Sequence, residues 1–177
     1  MPTSVIKHVL GRLKTIGIRD IFGVPGDFAF TVQDAIVNYP GINWIGCCNE
    51  LNSGYAADGY ARIRGIGAVS TTYGVGELSA INAIGGAYAE HLPVFHLVGM
   101  PNMPTQARRA LVHHTLGDGE FGFFRKMAEP VVCASAIMTP QRLFAVSSGL
   151  LRVRWGQGMY AGLGLVRVGR GSLAAVR

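Results

Sequence analysis

The sequence predicts an α/β domain built as a parallel sheet with helices on both faces. Three observations carry the prediction. Short apolar runs alternate with segments of helical periodicity, the pattern of strands joined by crossover helices. Turn-forming loops at Gly23 to Asp27, Asn49 to Glu50 and Gly74 to Gly76 each follow an apolar run, which puts them together on the carboxyl rim of a parallel sheet, where ligands of such folds bind. Finally, 177 residues at 49% hydrophobic content suit one soluble domain with a core of its own. The domain is assigned to residues 1–145, and residues 146–177 are set apart as a Gly/Arg-rich tail.

Ser4 reads as the N-cap of a first helix whose apolar residues Val5, Ile6, Val9, Leu10, Leu13 and Ile16 recur at helical spacing, and Gly17 as its stop. Ile18 to Phe22 reads as a strand running into Gly23-Val24-Pro25-Gly26-Asp27. Phe30 to Val37 is a second helix, closed by Asn38-Tyr39-Pro40-Gly41, and Ile42 to Cys48 a second strand. A third helix covers residues 50 to 63, with Gly54, Ala57 and Ala61 on a close-packing face. Ala68 to Tyr73 is a third strand, Gly74-Val75-Gly76 a tight turn, Glu77 to Glu90 a fourth helix and Val94 to Val98 a fourth strand. Gly85-Gly86 inside that helix costs about 1 kcal/mol per residue relative to Ala, which points to a close contact, at a dimer face or within the chain. Cys47 and Cys48 read as small buried apolar residues.

Charge divides the chain unevenly. Residues 1 to 130 hold ten basic and ten acidic side chains, whereas residues 131 to 177 hold six arginines and no acid. The net charge of +6 therefore resides in the tail, and the neutral domain lacks the basic face of a nucleic-acid binder. Three cysteines with no Cys-x-x-Cys spacing imply neither a disulfide framework nor a zinc knuckle, which suits a reducing cytosol and a cytoplasmic protein. No apolar run approaches the roughly 20 residues of a membrane span. Lys7, Arg12 and Lys14 on the first helix imitate a transit peptide, but that helix leads directly into domain sequence. From Ser147 onward seven glycines and five arginines follow no clean period. This segment is expected to be non-native or disordered, as at a frameshifted or mis-terminated end of a longer reading frame.

The residue most suggestive of chemistry is Glu50, where the apolar run Trp44-Ile45-Gly46-Cys47-Cys48 meets the small-residue helix that follows. Flanked by apolar residues rather than cations, its ionised form is expected to be poorly solvated, which lets it hold or trade a proton near neutrality. Taken alone, Glu50 also fits a carboxylate stabilised at a helix N-terminus, and Asp27 after Pro25-Gly26 fits a turn or cap residue. His113-His114 fits a loop pair, or metal ligands together with His91 and His96. Adjacent side chains on an extended segment point apart, so a proton relay suits the pair better than chelation of one ion.

Four motifs resemble the thiamine-diphosphate-dependent 2-oxo acid decarboxylases, a family that includes pyruvate, indolepyruvate and phenylpyruvate decarboxylases. They are Gly23-Val24-Pro25-Gly26-Asp27, Asn49-Glu50-Leu51-Asn52 with Gly54 to Arg62, Thr72-Tyr73-Gly74-Val75-Gly76-Glu77-Leu78-Ser79-Ala80, and His113-His114-Thr115-Leu116-Gly117-Asp118-Gly119. The similarity spans residues 4 to 140 and covers the family's N-terminal, flavodoxin-like pyrimidine-binding domain. The resemblance implies a two-subunit active site, in a homodimer or homotetramer, that converts a 2-oxo acid to an aldehyde and carbon dioxide with thiamine diphosphate and Mg2+. Within it, Glu50 is implied to bond the cofactor's aminopyrimidine ring and drive it to the imino form, with Pro25, Gly26, Thr72, Tyr73 and Val75 as further cofactor contacts. Asp27, His113 and His114 are implied to relay protons before the aldehyde departs. The paired histidines resemble the decarboxylase branch rather than the acetolactate-synthase-like carboligases.

The family's magnesium signature is a Gly-Asp-Gly followed roughly 25 to 30 residues later by Asn. Gly117-Asp118-Gly119 has no such partner, since no Asn follows Asn102, so no metal ligand is assigned in the chain and magnesium ligands are expected in a C-terminal domain. Gly74-Val75-Gly76 lacks the third glycine of a dinucleotide fingerprint. The chain on its own is expected to be inactive. The alternatives are a non-catalytic fragment that pairs with a full-length paralogue, and a nucleotide-binding module of flavodoxin-like architecture.

Overall fold

A computed structural model describes residues 4–138 and 164–169. Helix α1 (Val5–Thr15) begins where Ser4 Oγ accepts from Lys7 N and buries Val5, Ile6, Val9, Leu10 and Leu13. Arg12 and Lys14 occupy its last turn, where cations complement the helix dipole. The chain turns at Gly17, φ +110°, and Ile18 N still bonds back to Leu13 O at 3.0 Å. Ile18 thus belongs to the helix exit, and strand β1 (Asp20–Gly23) starts two residues later than the apolar run suggests.

A 3-10 turn (Asp27–Ala29), α2 (Phe30–Val37), β2 (Asn43–Gly46), α3 (Glu50–Arg64), β3 (Gly67–Thr72), α4 (Val75–Ala89) and β4 (Val94–Met100) follow in order. Beyond them lie α5 (Met103–Ala107), α6 (Phe123–Ala128), β5 (Ala134–Met138) and β6 (Gly164–Gly169). All strand pairs are parallel, in the order β2-β1-β3-β4-β6-β5. Helices α1 and α2 pack on one face, with Leu10, Leu13, Val32 and Ile36 against Ile21, Ala68, Phe95 and Leu97. Helices α3 and α4 cover the other, with Ala57, Ala61, Ile84 and Ala87 against Val69 and Val94. The fold is the expected parallel sheet with helices on both faces.

Small residues let α3 approach both its neighbours. A Cβ on Gly54 would lie 2.7 Å from Ala83 Cβ on α4, so the close-packing face read from Gly54, Ala57 and Ala61 is present. At Gly85 and Gly86 a Cβ would meet neighbours at 3.7 and 3.9 Å, ordinary contact distances, so packing among the described residues does not require glycine at either.

Asp20 ties three elements together. Tyr60 Oη on α3 donates to Asp20 Oδ2 at 2.6 Å and Asn43 Nδ2 on β2 donates to Oδ1 at 2.8 Å, and these two bonds hold the carboxyl below its usual range. On the far side, Arg62 joins Asp58 at 2.8 Å and Glu90 at 2.6 Å, clasping α3 to the end of α4.

Four expectations need correction. Cys47 is half-buried and Cys48 exposed, because β2 is an edge strand and both lie beyond its end; an apolar run does not distinguish an edge from a centre. The fourth helix starts at Val75, since Leu78 N donates to Gly74 O at 2.9 Å, so Val75 and Gly76 form a first helical turn. His113 and His114 do not lie on an extended segment, because His114 has φ +61°. Residues 164–169, inside the segment set apart as a tail, form β6 between β4 and β5; the run Leu165-Val166-Arg167-Val168 between glycines suits a strand. The rest of residues 146–177 lies outside the described residues.

Candidate active site

The order β2-β1-β3-β4 reverses direction between β1 and β3. The chain leaves β1 for α2 on one face and leaves β3 for α4 on the other, so a crevice opens at the carboxyl ends of these two strands, the usual ligand position in open parallel sheets. The three loops singled out in the sequence meet there.

Thr72, the last residue of β3, forms the floor. A Cβ on Gly26 would collide with Thr72 Cβ, and one on Gly76 would lie 2.9 Å from Thr72 Cγ2 and 3.2 Å from Glu50 Oε1. Both glycines are therefore needed for the two loops to pack directly against Thr72. Thr72 is 4% exposed, and its Oγ1 is buried with no hydrogen-bond partner among the described residues. An unpartnered buried hydroxyl costs about 1–3 kcal/mol unless something satisfies it.

Glu50 opens α3 behind Asn49, whose side chain accepts from Asn52 N at 2.8 Å. Its half-buried carboxylate reaches across to the first turn of α4. Gly74 caps that helix without a side-chain bond, so amide donors of the first turn face this side of the crevice.

On the β1 side, Gln33 fastens the loop. Buried on α2, it donates to Val24 O at 2.8 Å and accepts from Gly26 N at 3.1 Å. Sequence reading missed Gln33, although its place in the core-facing row Ala29, Gln33, Ile36 was a signal. Pro25 is exposed on the same loop. Asp27 follows, and its Oδ2 lies 2.6 Å from His113 Nε2. Phe28 stacks on the His113 ring at 4.7 Å and 21° and meets His114 edge-on at 6.0 Å. A Cβ on Gly74, φ +70°, would collide with the carbonyl oxygen of His114, so the histidine loop rests directly on the end of β3.

Tyr73 is fully buried among Phe28, Phe121, Phe124 and Met100, which leaves its backbone, not its ring, at the rim. Val75 is 53% exposed. His96 is buried in β4 and bonded to Thr71 at 2.8 Å; the cluster of ligating side chains contains Asp27, His113 and His114, without His91 or His96. Asp118 accepts from Glu120 N at 3.0 Å, as a turn residue does.

Residues 3–119 match the family described as thiamine pyrophosphate enzyme, N-terminal TPP binding domain. The chain belongs to the thiamine pyrophosphate enzymes. It is 53% identical over 137 residues to the alpha-keto-acid decarboxylases of Mycobacterium ulcerans and Mycobacterium tuberculosis, and 52% over 136 residues to that of Mycobacterium leprae. These alignments cover 77% of this chain and 24% of each relative, so the chain spans about a quarter of the length of the curated relatives it matches. A thiamine pyrophosphate enzyme holds its coenzyme partly through this domain, and the residues present suit one end of it. The unpartnered Thr72 Oγ1 and the half-buried Glu50 carboxylate are the polar groups the crevice holds for such a group. The cluster of ligating side chains found among the described residues, Asp27 with His113 and His114, is not the all-oxygen set that magnesium prefers.

Proposed function

We propose that the chain is the pyrimidine-binding part of a thiamine-diphosphate-dependent decarboxylase that converts a 2-oxo acid to an aldehyde and carbon dioxide. One observation carries the reading: Glu50 lies against Gly76 at the β1/β3 crevice, over an unsatisfied Thr72 hydroxyl. A carboxylate in that position accepts a hydrogen bond from a ring nitrogen and exchanges a proton with it. The unpaired Thr72 Oγ1, brought between the Gly26 and Gly76 loops by their close packing, offers the ring edge a polar partner, and exposed Val75 an apolar contact. Bound thiamine diphosphate supplies the carbon on which the oxo acid loses carbon dioxide.

Asp27, His113 and His114 act as the proton store of the reading. The 2.6 Å contact between Asp27 Oδ2 and His113 Nε2 lets one proton move between carboxylate and imidazole, and the His114 ring, 4.5 Å from that of His113, carries it onward to the developing aldehyde. Pyruvate, phenylpyruvate and indolepyruvate are the substrates to test. Magnesium and the diphosphate are assigned to residues of a C-terminal domain, and the 177-residue chain alone is expected to turn over slowly or not at all.

A homodimer or homotetramer fits the exposed apolar residues near Glu50, namely Ile45, Leu51, Tyr55 and Val75. It also fits Gly85 and Gly86, which no contact among the described residues requires to be glycine. A cytoplasmic location goes with this reading. Among the described residues no helix is long and apolar enough to cross a membrane.

The test is a chimera in which the aligned N-terminal residues of the Mycobacterium tuberculosis relative are replaced by those of this chain. Aldehyde release from one of the three oxo acids, lost on Glu50→Gln, is expected. A folded, coenzyme-loaded chimera that releases none, or one indifferent to Glu50→Gln, contradicts the reading.

A further inference from the structure

We propose that Asp27, His113 and His114 form a binding site for one divalent cation of the zinc class, separate from any magnesium that accompanies the coenzyme. Each of the three side chains offers a ligand atom, and these atoms lie within 4.8 Å of one another. Two neighbouring histidines on a strand would face opposite ways. The left-handed backbone of His114, φ +61°, removes that obstacle and turns both rings toward Asp27, with centroids 4.5 Å apart and planes at 88°.

The donors are already oriented. Phe28, itself buried, stacks on His113 and meets His114 edge-on. The His114 carbonyl is seated on Gly74. Little side-chain freedom remains to be lost when an ion arrives. Two imidazoles and one carboxylate suit zinc, cobalt or nickel, whereas magnesium and calcium prefer all-oxygen sets. The His113 and Asp27 side chains are 59% and 36% exposed, which leaves an entry path and room for a water as fourth ligand.

His114 Nδ1 is buried without a hydrogen-bond partner among the described residues, so no bond commits that ring to one tautomer. The same absence removes an outer-shell support, and affinity about 10- to 100-fold below that of a fully supported site is expected. Coordination requires the His113–Asp27 contact to open slightly and the proton shared there to leave to solvent. An occupied site can no longer pass protons, so the cation acts as an inhibitor. Binding rests on the trio alone; only the inhibitory consequence rests on the proposed decarboxylase reading.

The test uses the 177-residue chain and cobalt(II) chloride as the probe. One equivalent is expected to give a saturable visible ligand-field band, displaced by zinc chloride and unaffected by excess magnesium. Affinity is expected to fall at least about tenfold in His113→Gln and in Asp27→Asn and to be unchanged in Cys47→Ser and Cys48→Ser. In the unaltered chain the paramagnetic ion is expected to broaden and shift the imidazole signals of His113 and His114 far more than those of His8, His91 and His96, a readout independent of how the variants fold. Absence of saturable binding, binding that survives both trio variants, or perturbation centred on another histidine overturns the proposal. Each of these results leaves the coenzyme reading standing.

Discussion

Gly74→Ala is the substitution with the most consequences packed into one methyl group. Gly74 adopts φ +70°, ψ −103°, where an L-residue costs at least the roughly 1–2 kcal/mol of the left-handed helical well. The new Cβ would also strike the His114 carbonyl oxygen and come within 3.2 Å of Phe124 Cε2, and overpacking of that kind costs about 1–3 kcal/mol. Alanine restricts the unfolded chain and returns roughly 0.4–1 kcal/mol. The balance is a loss of about 2.5 kcal/mol, which for a chain of this length lowers Tm by about 5–10 °C. Thermal and urea unfolding followed by circular dichroism measure it, with Val75→Ala, at a position 53% exposed, as the control expected to stay within about 0.5 kcal/mol. The imidazole signals of His113 and His114 should move as well, because the loop that carries them is the part displaced. A Tm within about 2 °C of the parent, with both signals unmoved, would refute the claim that Gly74 seats the histidine loop.

Two further perturbations address the scaffold. Bonds from Tyr60 and Asn43 hold the Asp20 carboxyl below its usual range, so its contribution is present at neutral pH and fades as pH falls through the lowered value; Asp20→Asn should cost about 1–2 kcal/mol at pH 7 and progressively less below about pH 4, and a pH-independent difference in urea unfolding would count against it. Arg62→Met should lower stability measurably in urea unfolding, because the Asp58 side chain, 7% exposed, loses a 2.8 Å charged partner. Glu90→Gln, which breaks only the exposed arm, should lower it less, since solvent screens that pair, and equal losses in the two would show the clasp to be misassigned.

Much of this architecture could be read from local patterns. The second helix was placed at Phe30–Val37, where it is found, because the apolar positions and the Asn38-Tyr39-Pro40-Gly41 stop agree. The close packing of α3 was visible in Gly54, Ala57 and Ala61. Features set by tertiary position were harder to see. Nothing local marks Trp44 to Cys48 as an edge, so Cys47 and Cys48 were assigned to the core. The short helices α5 and α6 and strand β5 depend on packing more than on periodicity, although Asn102, whose side chain accepts from Thr105 N, is a legible cap. Of the candidate site, the motifs single out Glu50 and the Gly26 and Gly76 loops, which lie together at the crevice, and Asp27, which lies beside His113. The grouping of His113, His114 and Asp27 follows from the resemblance, but the turn of both rings toward Asp27 does not, because a histidine with positive φ gives no sign of itself in sequence. Gln33, the clamp behind Gly26, was hidden by the habit of expecting apolar residues on a buried helix face.

The central claim is that the β1/β3 crevice receives the ring of the coenzyme. It is tested most directly by titrating the isotopically labelled 177-residue chain with thiamine and following backbone amide resonances, which report weak binding without any need for the diphosphate. Saturable shifts centred on Gly26, Thr72, Val75 and Gly76, weakened about tenfold by Glu50→Gln, equivalent to about 1.4 kcal/mol, are the expected result. Shifts centred elsewhere, or saturation unchanged in Glu50→Gln, would contradict the account.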